Sequence, residues 1–154
     1  MTRLNKKACV KLAKNLRKGD LLLWSNFILD SGKIKDKILI ILSNCEYKFI
    51  IFVLATSKTE IYDKDPYAKI DTIWFLPKQI KSLPLKTVVD LKRLKTKAIN
   101  DFGEKFYTNN LKLIGKLTEE EIETIDIGVA RAITLDQNTK NLILGNKSSL
   151  NYTV

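Results

Sequence analysis

Residues 37–56 read KILIILSNCEYKFIIFVLAT, and their pattern decides the fold class. Residues 37–42 form a continuous apolar run rich in β-branched side chains, as expected of a strand covered on both faces. Ser43-Asn44 supplies a turn signal, and residues 47–56 form a second apolar run that predicts a second strand. Ser43, Asn44, Glu46 and Lys48 interrupt the apolar character, so neither run approaches the roughly 20 residues of a membrane span.

Upstream of this pair, residues 20–24 read as a strand, and residues 25–36 as a polar loop carrying Ser31-Gly32. Downstream, residues 57–69 are polar, contain Pro66 and read as a loop. Residues 72–76 and 86–89 are two further short strands, separated by a segment with Pro77 and Pro84. Short strands divided by turn signals predict a mainly β chain, a small SH3-like barrel of about five to seven strands, rather than alternating β-α units.

Helices are expected at both ends. Thr118-Glu119-Glu120-Glu121 is a capping box: the Thr hydroxyl and the Glu carboxylate satisfy free amides where a helix starts. Ile122, Ile125, Val129, Ala132 and Ile133 then form an apolar stripe that packs this C-terminal helix on the barrel. At the other end, Leu4, Ala8, Leu12 and Leu16 recur at steps of four among lysines, which predicts an extra, amphipathic N-terminal helix ending before Lys18-Gly19. Such a helix packs its leucine stripe on the domain or lies on a membrane or nucleic acid. The organisation expected is a helix over residues 1–16, a barrel domain over 17–135 and a loosely attached tail over 136–154.

Composition narrows the chemistry. The 154 residues carry a formal net charge of +10 and 45% hydrophobic residues, a globular composition with attraction for polyanions such as nucleic acid or an acidic protein tail. A merely soluble, lysine-rich surface has the same composition. There is no histidine, so imidazole acid–base catalysis and His-ligated metals are excluded. Cys9 and Cys45 match no metal or redox spacing and read as ordinary reduced thiols. The basic N-terminus lacks the apolar run of a signal peptide, which predicts a cytoplasmic protein with no membrane partner.

Four segments, in order, resemble the MazF/PemK family of toxins. Lys18-Gly19-Asp20-Leu21 resembles the family's opening "(R/K)GD" and apolar strand, and residues 31–43 its glycine loop and following strand. Phe52-Val53-Leu54-Ala55-Thr56 resembles its third strand, which ends in threonine or serine. Residues 87–96 (TVVDLKRLKT) resemble its "SVILLEQIRT" stretch, and residues 113–135 resemble its closing helix pattern. The resemblance covers about three quarters of the chain. It implies a homodimeric toxin of a toxin–antitoxin system, an endoribonuclease that cleaves single-stranded RNA (mRNA) without metal or other cofactor. The implied partner is a cognate antitoxin with an acidic tail.

By the same resemblance, a 2′-hydroxyl attacks the adjacent phosphate, and the third-strand hydroxyl that assists aligns with Thr56. Thr56 is equally a common strand-terminating residue. Where the family has its phosphate-stabilising arginine stands Asp36, flanked by Lys35 and Lys37, the two candidate replacement cations. The Arg-x-Asp pair of one family branch aligns with Asp90-x-Lys92, its charges exchanged. RNA-binding candidates are Trp24, Asn26 and Phe27 with Lys33, then Ser57 and Lys58, and the basic run containing Lys92, Arg93 and Lys95. Trp24 also ends an alternating strand, so core and base-stacking positions are both open to it. The alternative function is a barrel that has lost catalysis and serves as an RNA-, DNA- or protein-binding module, which the substitutions at positions 36 and 90 favour.

Overall fold

The computed structural model describes residues 5–43 and 48–145. In chain order the elements are α1 (Lys6–Lys14), β1 (Asp20–Ile28), β2 (Ile34–Ile41), β3 (Phe49–Thr56), α2 (Glu60–Lys64), β4 (Thr72–Phe75) and β5 (Thr87–Asp90). After a 3₁₀ turn at Leu91–Arg93 come β6 (Lys95–Ala98), α3 (Ile99–Tyr107), β7 (Leu111–Lys116), α4 (Glu119–Arg131) and α5 (Gln137–Leu144). The expected mainly β, barrel-like fold with helices at both ends is what forms, with seven strands among the described residues. No helix among those residues is long and apolar enough to cross a membrane. Two compact units divide the chain, one from Met1–Phe52 and Lys95–Lys116, the other from Val53–Leu94 and Leu117–Val154.

In the first unit the strand order is β6-β3-β2-β1-β7. The segment expected to be a polar loop, residues 25–36, is instead the far half of a long β1–β2 hairpin, closed by a turn with Gly32 at φ +85°. Its polar side chains face solvent from a strand, and only the five residues between Ile28 and Ile34 are turn. Trp24 pairs with Lys37 and Phe27 with Lys35, so Ser25 and Asn26 together oppose Asp36 in a β-bulge. Asn26 takes the left-handed backbone there, φ 61°, which asparagine tolerates better than most residues. The Asp36 carboxylate accepts the bulged Asn26 N–H at 3.0 Å.

The bulge keeps both aromatic side chains inward. Trp24 and Phe27 meet edge-on at 5.2 Å between ring centroids, and Phe102 of α3 meets Trp24 at 5.4 Å and Phe52 at 5.6 Å, also edge-on. Leu21, Leu22, Leu39, Ile40, Ile41 and Ile50 are fully buried on the two faces of the same strands. Helix α1 is capped as its sequence requires, the Asn5 side chain accepting the Ala8 N–H at 2.8 Å. Within the helix the buried residues are Cys9 and Ala13; of the expected stripe Leu16 is buried just beyond the helix, Leu12 is 41% exposed, and Leu4 lies outside the described residues. The cause is a close crossing with α3. A Cβ on Gly103 would sit 2.8 Å from Val10 Cγ2 and 3.0 Å from Val10 Cα, so the helices meet where side chains are small. Cys9 is a buried free thiol, and Cys45 lies outside the described residues.

In the second unit β5 lies between β4 and the end of β3, with Ile73, Val89 and Ala55 aligned on one face. That face takes α4: a Cβ on Gly128 would lie 2.6 Å from Ile73 Cδ1, so only glycine lets the helix come this close to the strand. The expected capping box is formed, Glu121 Oε1 accepting Thr118 N–H at 2.8 Å and Thr118 Oγ1 accepting Glu121 N–H at 3.2 Å. Ile125, Val129 and Ala132 are buried as expected, whereas Ile133 is 78% exposed because the helix ends at Arg131. The chain that leaves α4 is held by Asp71, whose carboxylate accepts the N–H groups of Ile133 at 3.0 Å and Thr134 at 2.7 Å. The expected loose tail contains instead α5, capped by Asp136 and burying Ile143 and Leu144. Mixed polarity over residues 137–144 is thus the two-sidedness of a short helix.

Candidate functional site

Pairing in the second unit places Trp74 opposite Val88, and Val88 opposite Thr56. Residues paired across neighbouring strands point to the same side, so Thr56, Val88 and Trp74 line one face of the sheet, opposite the face that carries α4. Asp90 and its partner Thr72 belong to this face too, two residues along. Thr56 ends β3 half-buried, and the exposed Ser57 and Lys58 follow it directly.

Asp90 is buried, 4% exposed, and saturated with donors. Its Oδ1 accepts the Lys92 N–H at 3.0 Å and lies 2.9 Å from the Lys92 ammonium; its Oδ2 accepts the Tyr62 hydroxyl at 3.0 Å. Arg93 Nε stands 3.7 Å from Oδ2 on a side chain 72% exposed. Burial first, then the Asp90 charge and hydrogen bond, push the Tyr62 hydroxyl up to about 12, so it stays a donor. Lys92 also donates to the carbonyls of Ala68, at 2.7 Å, and Ile70. An ammonium has three donors, and Lys92 uses all three within its own unit. Lys92, expected among the RNA-binding residues, ties the loop before β4 to Asp90.

Asp71 shares this neighbourhood. Burial works to raise its carboxyl, but hydrogen bonds from the Thr134 side chain and backbone and from Ile133, with the Lys92 charge, hold it below the ordinary carboxylate value.

The remaining candidates belong to the first unit. Trp24 is 3% exposed in the aromatic cluster, so of its two open positions it occupies the core and is no stacking surface; Phe27 is buried beside it. The Lys97 ammonium lies 5.8 Å from the Trp24 ring centroid. Asn26 is exposed in the bulge, and Lys33 is exposed in the hairpin turn. Lys35 and Lys37 sit on β2 opposite Phe27 and Trp24. Lys95 pairs with Asp30 at 2.9 Å, tying β6 to the hairpin turn.

Sequence reasoning missed Tyr62, Trp74, Lys69 and Lys86. The Trp74 ring meets Tyr62 edge-on at 6.1 Å, and the ammonium groups of Lys86 and Lys69 lie 5.0 and 6.0 Å from its centroid. The signal was present in β4: in Thr72-Ile73-Trp74-Phe75 the buried residues are Ile73 and Phe75, so the alternation turns Trp74 outward. No protein-family model matches the chain, and no curated protein matches it.

Proposed function

We propose that the chain is a toxin of the MazF/PemK type, a cytoplasmic, homodimeric endoribonuclease that cleaves single-stranded RNA without metal and is held inactive by an antitoxin with an acidic tail. The observation that carries the reading is Thr56. It is a half-buried hydroxyl at the end of β3, followed by an exposed hydroxyl and an exposed ammonium at Ser57 and Lys58. Such groups donate hydrogen bonds to a phosphate, and the net charge of +10 draws the polyanion. The attacking group is the RNA's own 2′-hydroxyl; the protein's part is to hold the phosphate and neutralise the charge that develops on it. Lys35 and Lys37 are the cations to test for that role, each by its own substitution.

The test is cleavage of single-stranded RNA by the purified chain in EDTA, leaving a 2′,3′-cyclic phosphate or 3′-phosphate end, with Thr56→Ala slower by about 100-fold or more. Absence of cleavage at high protein concentration, with antitoxin removed, refutes the nuclease. The second reading, a binding module without turnover, is favoured by two observations. Asp36 caps a backbone bulge where the family has its arginine, and Lys92 is committed to loop carbonyls. It predicts salt-sensitive RNA binding and intact RNA.

A further inference from the structure

We infer that Trp74, with Lys69 and Lys86, is a platform that stacks a base of single-stranded RNA; the inference rests on the RNA-binding reading above. Of the chain's two tryptophans, one is sealed in the first unit's core and the other is half-buried on β4, on the face away from Ile73 and Phe75. Among the described residues β4 ends its strand order and pairs with β5 alone. The indole is also fixed in place. Its Nε1–H donates to Thr72 Oγ1 at 2.9 Å, and the Thr72 hydroxyl in turn donates to the Lys69 carbonyl at 2.7 Å. Tyr62, itself anchored on Asp90, meets the ring edge-on. A ring held this way loses little freedom when a base stacks on it.

The two lysines occupy the ring in the absence of RNA, and a base displaces one without difficulty. An exposed ammonium over an indole shifts an equilibrium by about 2- to 5-fold, whereas one stacked base contributes about 5- to 150-fold. The displaced ammonium is then beside the nucleotide's phosphate, the better partner for a point charge. Thr56 shares the face, two strand spacings away, or about 9–10 Å between backbones. Val88 between them is fully buried, so a strand stacked on Trp74 passes over covered sheet to reach the side of Thr56.

The probe is a short 2′-O-methyl oligouridine, which has no 2′-hydroxyl to react, with inorganic polyphosphate as a base-free control. Binding is followed by anisotropy of a labelled oligonucleotide and by tryptophan emission. The expected result is quenching by the oligonucleotide and none by polyphosphate, with Trp74→Ala weakening binding about 5- to 150-fold. Lys69→Gln with Lys86→Gln leaves the indole in place, so that pair and the emission of the unaltered chain decide the matter even if Trp74→Ala fails to fold. The pair is expected to weaken binding and lower the salt slope by about two. Binding with unchanged tryptophan emission, or with unchanged affinity in the lysine pair, overturns the platform while RNA binding stands. No binding of the oligonucleotide at low salt overturns both.

Discussion

Replacing Lys92 by methionine separates a strut from a ligand-binding cation. The substitution keeps the aliphatic stem and removes an ammonium that meets Asp90 Oδ1 and the carbonyls of Ala68 and Ile70. Breaking a fully buried ion pair by deleting one partner costs about 3–5 kcal/mol. Here the Lys92 side chain is 26% exposed, so water screens the pair and reaches part of what is vacated. Asp90 also keeps the Tyr62 hydroxyl and the Lys92 N–H. The expected loss is therefore about 1–3 kcal/mol, and at roughly 2–4 °C per kcal/mol for a chain of this size Tm falls by about 2–12 °C. Adding Asp90→Asn recovers part of it, because the uncompensated charge is gone. Thermal and denaturant unfolding of the two single variants and the double variant measure the coupling. An unchanged Tm for Lys92→Met together with a large loss of RNA binding would refute the strut and return Lys92 to the RNA.

Gly103→Ala places a methyl 2.8 Å from Val10 Cγ2 and 3.0 Å from Val10 Cα; overpacking of about 1–3 kcal/mol outweighs the roughly 1 kcal/mol gained in helix propensity. Chemical denaturation should show a net loss, only partly relieved by Val10→Ala because the backbone atom stays close; a gain of about 1 kcal/mol would show that α1 is loosely held. Gly128→Ala should destabilise for the same reason against Ile73, and Ile73→Val should restore part of the loss, since the nearest atom is that side chain's Cδ1. The Tyr62 hydroxyl is raised in the folded chain, so its contribution is complete below the unfolded value near 10 and is lost as pH rises toward about 12. The full loss is at most about 2–3 kcal/mol and is reduced by solvent screening, and the denaturation midpoint of Tyr62→Phe should fall less steeply over that range; equal slopes would exclude Tyr62 as the titrating group.

What was legible in the sequence is what local chemistry decides. The capping box at Thr118 and the double-sided burial of residues 39–42 follow from residue type and period. The hairpin was misjudged because charge at Lys33, Lys35 and Asp36 resembles a loop until Phe27 is seen to be buried between them. Residues 97–112 carry no expected element, although Ile99, Phe102 and Phe106 have helical spacing; Ala98 offers no side-chain cap to announce α3. The buried face of α1 was misplaced by about one residue because a glycine on another helix sets it, and no local pattern records that. At the candidate site the choice between the two tryptophans depended on alternation: Trp24 lies in a strand bent by a bulge, Trp74 in a regular one. The commitment of Lys92 was invisible, since its carbonyl partners lie more than twenty residues away.

The bulge at Ser25 and Asn26 makes position 36 a coupled site in the evolutionary sense. Its carboxylate is held there by a backbone amide, so a cation cannot take position 36 without releasing that amide. Asn26 is exposed, however, and water takes up a released N–H at a cost of about 1 kcal/mol or less. Asp36→Asn, a neutral carboxamide, still accepts the amide, whereas Asp36→Arg releases it to water. The hairpin thus separates the charge of position 36 from the shape of the turn, because the amide it holds can pass to a carboxamide or to water.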